Sequence, residues 1–563
     1  MTRIELAHDK TVAIERFSSE LKSLVSEVSL SLKEFFESSI DGVLGNDHRN
    51  IVVELFNEWC YRNDIVPLEK LKSTLIERFK HIIEIKNIDV RGHEIDRLVK
   101  DIAEGTRLQE NSVRTIVSSC LADVLAGKHS VEEVSWSCAK KLLEDYISLF
   151  LDQTAHVVIA RLLVYRVMED KGYVRARLIN VVSDQQFDPL KELIEIRREL
   201  ETLLPNIYAL SEFDWWYIPD IKRGLLSDEQ RRILRRCEEK FRQALKKVVS
   251  VLVGYDLSKL DFDIWQKIYQ HYLPETERQR LGGFYTPREL VSLIIDLAGY
   301  DSSKPNLCKM KVLDPASGSG TFIVEVTRRL IQHLESRSDC HTLPRTEWEK
   351  AKFVLETVKK NIYAIDIHPF ATFLTSLNLM MLLLDYYLKV RHQDPEYRLE
   401  LKVITADSLM KYVHIDLASF YANSRLMEAR RRLEKYSEAL STSFNFVFGN
   451  PPWGSVLKGS LSPLWNPEKR KEYKKLYKSA CSKYDIYVLF LERGVEWLKE
   501  GGILGMVVNN RFLTREFGKC IRNLIASKTI VKYLVDVSEY GTELFPEATN
   551  YPVVIILEKL ESG

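Results

Sequence analysis

The stretch FNFVFGNPPWG, residues 444–454, constrains this chain more than any other. Phe446, Val447 and Phe448 are strand formers and read as the end of a buried strand that Gly449 breaks. Pro451 and Pro452 then hold two successive φ angles near about −65° and remove two backbone donors. Pro451 also pushes Asn450 out of the helical region. The backbone here is stiff and extended, and it presents one amide side chain, one bare carbonyl and the ring of Trp453. Such a segment fits the C-terminal edge of a strand in an open α/β sheet, where ligands bind. Asn450 Oδ1 and the Pro451 carbonyl match the two N–H bonds of a planar exocyclic amine, and the indole face matches the ring that carries it. The alternative is a proline-stiffened turn with Trp453 in the core.

At 563 residues the chain is too long for one domain. Its net charge is only +1, so any surface for nucleic acid must be local. The eight cysteines are scattered with no CxxC pair. That spacing argues against a zinc site or other metal and against a disulfide framework, and for a reducing cytoplasm. The opening MTRIELAHDK carries charge throughout and does not read as a signal peptide. The longest apolar run, residues 374–388, is interrupted by Asp385 and reads as a buried helix, so no membrane is expected.

Residues 1–280 read as helical, with few glycines and prolines and long helical periodicity. We expect an N-terminal helical domain over 1–204 and a helical connector over 205–280. Glu84-Ile85-Lys86 has the lettering of a nuclease site, but its surroundings read as helix. Trp215 and Trp216, in an aromatic cluster at the break, read as packing between helical layers. Ser227 is a cap for a helix rich in arginine and lysine, which is either a solvated face or a phosphate-contacting one.

From 281 the texture alternates between strands and helices. FYTPREL predicts a helix starting near Pro287 with Thr286 as its cap. MKVLDPASGSGTF is a short strand, then Asp314, Pro315, Ala316, Ser317, Gly318, Ser319 and Gly320, then a helix from Thr321 and Phe322. Glycines in such a turn let a ligand approach the backbone at a helix start. The acid ahead of them disfavours a pyrophosphate and suits an amine-bearing ligand, with a dinucleotide site as the rival. A second strand ends at Asp366-Ile367 and a third at Asp407-Ser408-Leu409. Acids at three successive strand ends point to one ligand site.

After Trp453 comes a polar insertion over 458–483 with Lys458, Lys469, Arg470, Lys471, Lys474, Lys475 and Lys478, interleaved with Trp465, Tyr473 and Tyr477. It is a candidate phosphate grip. A helix over 484–499, a strand over 501–509 and a closing pair of strands over 530–537 and 551–558 complete the pattern.

FYTP, DPASGSGTF, AIDIHPFA, ITADSL and NPPW, in this order over residues 281–563, resemble the amino-methylating DNA methyltransferases, and more closely the N6-adenine-specific enzymes of restriction–modification and related phage-defence systems. The resemblance implies an α/β, Rossmann-like catalytic domain over 281–563: a seven-stranded sheet, mostly parallel, with the last strand reversed. It implies S-adenosylmethionine as cofactor and S-adenosylhomocysteine as product. Carried over by position, Tyr285, Thr286 and Pro287 flank the methionine end. Asp314 through Gly320, with Thr321 and Phe322, line the cofactor, Asp314 near its amino group. Asp366, with Ile367, takes the ribose hydroxyls, and Asp407, with Ser408 and Leu409, the cofactor's adenine amine. Asn450, Pro451, Pro452 and Trp453 hold an adenine flipped out of double-stranded DNA, and the transfer is direct and in-line. Trp453 stands where many relatives have Tyr or Phe. Such relatives usually carry a target-recognition domain after the catalytic one, and none is visible before Gly563; recognition is expected from a separate specificity or other defence-system subunit or from a removed segment, with residues 1–280 as the further alternative. The same site chemistry also suits an RNA base or a protein glutamine, or a scaffold subunit that only binds the cofactor.

Overall fold

The computed structural model describes residues 3–7, 10–63, 65–182, 186–273, 286–336, 346–412, 423–453, 467–481, 484–540 and 551–561. Its first half is helical. The helix Thr11–Ile40 lies along both Glu144–Asp170 and Asp228–Gly254. Ser227 caps the last of these in a reciprocal pair with Gln230. The cations of Asp228–Gly254 turn to acids: Arg236 and Lys240 to Glu34, Lys247 to Glu27, Arg242 to Asp188 and Glu238. Through Arg236, Lys240 and Lys247, that helix makes an ion-pair seam against Thr11–Ile40. A short parallel bridge, β1 (Ile4–Glu5) with β2 (Tyr255–Asp256), joins the two ends of the helical half. Trp215 and Trp216 are buried, and the Trp215 ring meets Phe35 and Phe36 edge-on. The buried Arg161 guanidinium lies 2.6 Å from Asp214 and donates to the Ile207 carbonyl.

The second half is built on a seven-stranded sheet. Its strands are β3 (Val312–Asp314), β4 (Ile362–Asp366), β5 (Lys402–Thr405), β6 (Phe444–Gly449), β7 (Leu498–Asn509), β8 (Thr529–Asp536) and β9 (Pro552–Lys559). They lie in the order β5-β4-β3-β6-β7-β9-β8. The pairs from β5 to β7 are parallel, and β9 runs antiparallel to both its neighbours. This is the expected mostly parallel sheet with one reversed strand, the last in the chain. β3 and β4 are buried along their whole length, as central parallel strands covered by helices on both faces must be. The chain order reverses between β3 and β6, which opens a crevice at their C-terminal ends.

The two halves share one hydrophobic core. The helix Pro369–Gln393 is its hinge member, buried on nearly every side. It and Glu144–Asp170 are long and apolar enough to cross a membrane, but 83% of each apolar window is buried inside the protein. Trp265 Nε1 donates to Asn378 Oδ1 at 3.0 Å, and the Asn206 amide pairs with both backbone groups of Leu401.

Three local expectations are corrected. Pro287, not Thr286, occupies the cap position of Arg288–Leu297, and no side chain caps that helix. The helix expected to run to 499 ends at Trp497, and β7 starts at Leu498. Against the reading of scattered, unpaired cysteines, Cys481 is bonded to Cys520 with Cα atoms 6.4 Å apart, and Cys308 is also disulfide-bonded. Spacing along the chain carries no information about proximity in space, and connectivity cannot be deduced from it.

Candidate functional site

The crevice between β3 and β6 collects the strand-end residues. Gly449 ends β6 against Asp314: a Cβ there would lie 3.1 Å from Asp314 Oδ1. Asn450 follows directly and is half-buried, Pro451 is buried, and Pro452 and Trp453 are half-buried. The indole packs against both hydrophobic clusters, so it is in part a core residue and only in part exposed. Asn450 Nδ2 donates to Thr286 Oγ1 at 3.1 Å. The buried Thr286 hydroxyl therefore does for Asn450 what it was expected to do for a helix, and the amide is turned so that Oδ1 lies on the other side.

The turn after β3 is pinned by its neighbours. Ala316 N donates to Asp314 Oδ1 (3.0 Å), Ser317 N to the Ile365 carbonyl (3.0 Å) and Gly318 N to Asp366 Oδ2 (2.9 Å). Gly318 and Gly320 have φ of 53° and 88°, which glycine adopts without strain. A Cβ on Gly320 would also meet Thr375 at 3.0 Å. Thr375 and Asn378, one helical turn apart on Pro369–Gln393, donate to the Gly318 and Ser319 carbonyls. These two residues carry no motif lettering and are missed by sequence reading. The only signal was a polar residue every third or fourth position in an otherwise apolar helix. Pro315 and Ala316 sit inside the turn, and Thr321 and Phe322 open the helix Thr321–Ser336, with the Phe322 ring stacked over Phe448.

Asp314 is buried and takes one hydrogen bond among the described residues. Burial pushes its carboxyl up to about 8, the Ala316 N–H opposing this and the nearby Asp366 adding to it. Asp366 accepts from Gly318 N and from His368 N (2.9 Å), which fixes its orientation beside Ile367. Asp407 accepts from Leu409 N, and Ser408 Oγ donates to the Pro315 carbonyl, which closes the third strand end onto the turn. Thus Thr286 touches Asn450, Gly449 faces Asp314, Gly318 binds Asp366, and Ser408 binds Pro315. Five segments that span residues 286–453 meet at one sheet edge.

The polar insertion divides. Tyr285 and Lys458 lie outside the described residues, and Arg470 lies on the helix Pro467–Leu476. Lys469 does not face out: its amine is 3.5 Å from Asp407 and 3.3 Å from Glu472. Lys471, Lys474, Lys475 and Lys478 are exposed. Lys471, Lys474 and Lys475 lie on one stripe of that helix, opposite the buried Tyr473, and Lys478 follows in the turn beyond its end. Among the described residues, no group of metal-ligating side chains is found.

Residues 360–545 match the Eco57I restriction-modification methylase family, a span that holds Asp366, Asp407 and Asn450. The chain is 28% identical over 278 residues to the Type II methyltransferase M.BstVI of Geobacillus stearothermophilus, covering 49% of this chain and 42% of that one. It is 26% identical over 286 residues to the Type II methyltransferase M.PaeR7I of Pseudomonas aeruginosa, covering 50% and 41%. These alignments span less than half the length of either relative. A solved type I restriction-modification methyltransferase subunit from Streptococcus thermophilus superimposes over 96% of this chain and 85% of its own, at a TM-score of 0.41 and 15% identity. By sequence, the chain is thus similar to methyltransferases of restriction–modification systems over a part of its length.

Proposed function

We propose that this chain methylates N6 of an adenine flipped out of double-stranded DNA, with S-adenosylmethionine as donor, as the modification subunit or core of a restriction–modification or phage-defence system. The observation that carries this reading is the Asn450–Thr286 hydrogen bond beside Asp314. The amide nitrogen is committed inward, so Oδ1 and the Pro451 carbonyl remain as neighbouring acceptors at the strand end. Two acceptors side by side suit an –NH2 group.

The crevice fits the cofactor by its donor set. Asp314 is a buried acid with one hydrogen bond among the described residues, placed for an ammonium group, and Gly449 leaves its Oδ1 uncrowded where a Cβ would lie 3.1 Å away. Asp366 is oriented by two backbone N–H groups and keeps lone pairs for ribose hydroxyls. Asp407 would take the adenine amine. When bound, the cofactor supplies a methyl group on a positively charged sulfur. The chain's own residues do the rest by positioning. Asn450 Oδ1 and the Pro451 carbonyl accept both N6 hydrogens, which draws the nitrogen toward tetrahedral geometry and turns its lone pair out of the ring plane. Trp453 offers a half-buried ring for the base to stack on. Orientation of this kind contributes about 7–11 kcal/mol in favourable cases, so no covalent enzyme intermediate is needed. The exposed stripe of Lys471, Lys474, Lys475 and Lys478 supports a polyanionic substrate over a protein glutamine.

Sequence choice would come from a recognition element, either a separate specificity subunit or a further segment. The test is transfer of labelled methyl from the cofactor to DNA, RNA and protein in parallel, with the recognition partner supplied. Label in DNA adenine, abolished by Asn450→Ala, is the expected result. Exclusive labelling of protein or RNA, or full activity of Asn450→Ala, overturns it.

A further inference from the structure

The helix Pro467–Leu476 and the turn after it are fastened to the catalytic sheet along one face. The Tyr473 hydroxyl donates to Asp407 Oδ2 at 2.8 Å. Lys469 approaches the same oxygen, and the Tyr477 hydroxyl donates to the Leu409 carbonyl. Tyr436, from the helix Asn423–Ser441, donates to the Asp407 and Met410 carbonyls from the other side. Beyond the helix, the backbone N–H groups of Lys478 and Ser479 donate to the Glu492 carboxylate. Tyr473, Tyr477 and Tyr436 are all buried. Asp407 Oδ1 accepts from Leu409 N, so the carboxylate plane is set by the Tyr473 hydroxyl on one oxygen and by this backbone group on the other.

The opposite face of the same segment is the exposed stripe of Lys471, Lys474, Lys475 and Lys478, which makes no ion pair among the described residues. Like charges three and four positions apart on a helix repel one another, so the stripe weakens the helix until a polyanion covers it. This one segment thus carries two contacts of different kinds: outward, Lys471, Lys474 and Lys475 on the helix with Lys478 in the turn after it, and inward, one hydroxyl on Asp407.

We propose that Tyr473 is a positioning residue for the adenine end of the cofactor, and that its helix couples cofactor affinity to phosphate contact along the DNA. Tyr473 acts through Asp407 and touches no reacting atom. Phosphates on the lysine stripe hold the helix in place and keep the carboxylate aimed; by linkage, bound cofactor strengthens the phosphate contact by the same factor. This inference rests on the proposed cofactor site.

The experiment is calorimetric binding of S-adenosylhomocysteine and of its deaminated analogue, S-inosylhomocysteine, to the full chain at low salt, with and without a short duplex DNA. For the parent protein we expect the adenine compound to bind more tightly than the inosine one, and the duplex to tighten its binding by about fivefold, the low end of ordinary coupling. Tyr473→Phe keeps the ring and its packing but removes the hydroxyl. It should reduce the discrimination between the two compounds about tenfold, the loss expected for one hydrogen bond to a charged acceptor, and abolish the effect of duplex. Asp407→Asn is the control for the site. If Asp407→Asn loses discrimination while Tyr473→Phe retains both discrimination and coupling, the inference is wrong and the cofactor reading stands. If the parent protein binds neither compound, or Asp407→Asn changes nothing, the cofactor reading itself falls. If the duplex leaves parent affinity unchanged, the coupling is refuted.

Discussion

Replacing Asp314 by Asn tests the electrostatics of the crevice most directly. The acid is buried, and its carboxyl is held at about 8 against an ordinary value of 3.8, chiefly by burial. An acid whose folded value is raised binds more protons in the folded state across that window. Stability therefore falls as pH rises from about 4 to about 8 and levels off above it. At 1.36 kcal/mol per unit, the full penalty is on the order of 5 kcal/mol above pH 8. Asn is isosteric with the neutral acid and cannot ionise, so the variant lacks this penalty. Urea unfolding of ligand-free parent and Asp314→Asn should show a stability difference that grows in the variant's favour by about 1.4 kcal/mol per pH unit, up to pH 8. Other titrating groups are common to both proteins and cancel. The same shift sets a cofactor prediction. If the ionised carboxylate takes the cofactor's ammonium group, affinity in the parent protein rises about tenfold per pH unit up to 8 and then flattens, and Asp314→Asn removes both the slope and most of the affinity. A stability difference that does not change with pH, or tight cofactor binding by Asp314→Asn, would refute the reasoning.

Thr286→Val should lower the rate of methyl transfer by about 10- to 100-fold by freeing the Asn450 amide to rotate, with cofactor affinity little changed and Thr286→Ser restoring activity; loss of cofactor binding instead would place Thr286 in the cofactor pocket alone. Gly449→Ala puts a Cβ 3.1 Å from Asp314 Oδ1 and should weaken cofactor binding about tenfold by calorimetry, and an unchanged affinity would mean that Asp314 can move away. Asp214→Ala strands the buried Arg161 guanidinium and should destabilise the helical half by about 3–5 kcal/mol in urea unfolding; a change under about 1 kcal/mol would show that the pair is solvated. Mass spectrometry of the unreduced protein after proteolysis should recover Cys481 and Cys520 in one linked peptide pair, and separate thiol-bearing peptides would contradict the fold at that point.

Much of the sheet-bearing half was legible because its signals are local. A β-former run followed by glycine and two prolines limits the backbone at its own position, and an acid after each of three short apolar runs marks strand ends without reference to the rest of the chain. Thr286 shows where this stops. Thr before Pro is an ordinary helix cap, and only the approach of a residue 164 positions away converts it into a partner for Asn450. Lys469 read as one more surface cation because its neighbours in sequence are cations. Helical phase turns it inward with Tyr473, and Asp407, 62 residues earlier, decides what it meets.

By itself, then, the sequence determined the alternation of strands and helices, the residues at the strand ends and the chemistry those residues can offer, since backbone propensity and proline geometry act over a few residues. The tertiary structure alone decided which polar groups face one another: Asn450 and Thr286, Tyr473 and Asp407, Gly318 and Asp366, Cys481 and Cys520. It also decided that Arg236, Lys240 and Lys247 of Asp228–Gly254 answer Glu27 and Glu34 while Lys471, Lys474, Lys475 and Lys478 make no ion pair within the described residues. Hydrogen bonds and ion pairs act over a few ångströms, and the distances that matter to them are set only when the sheet has closed and the helices have packed on it.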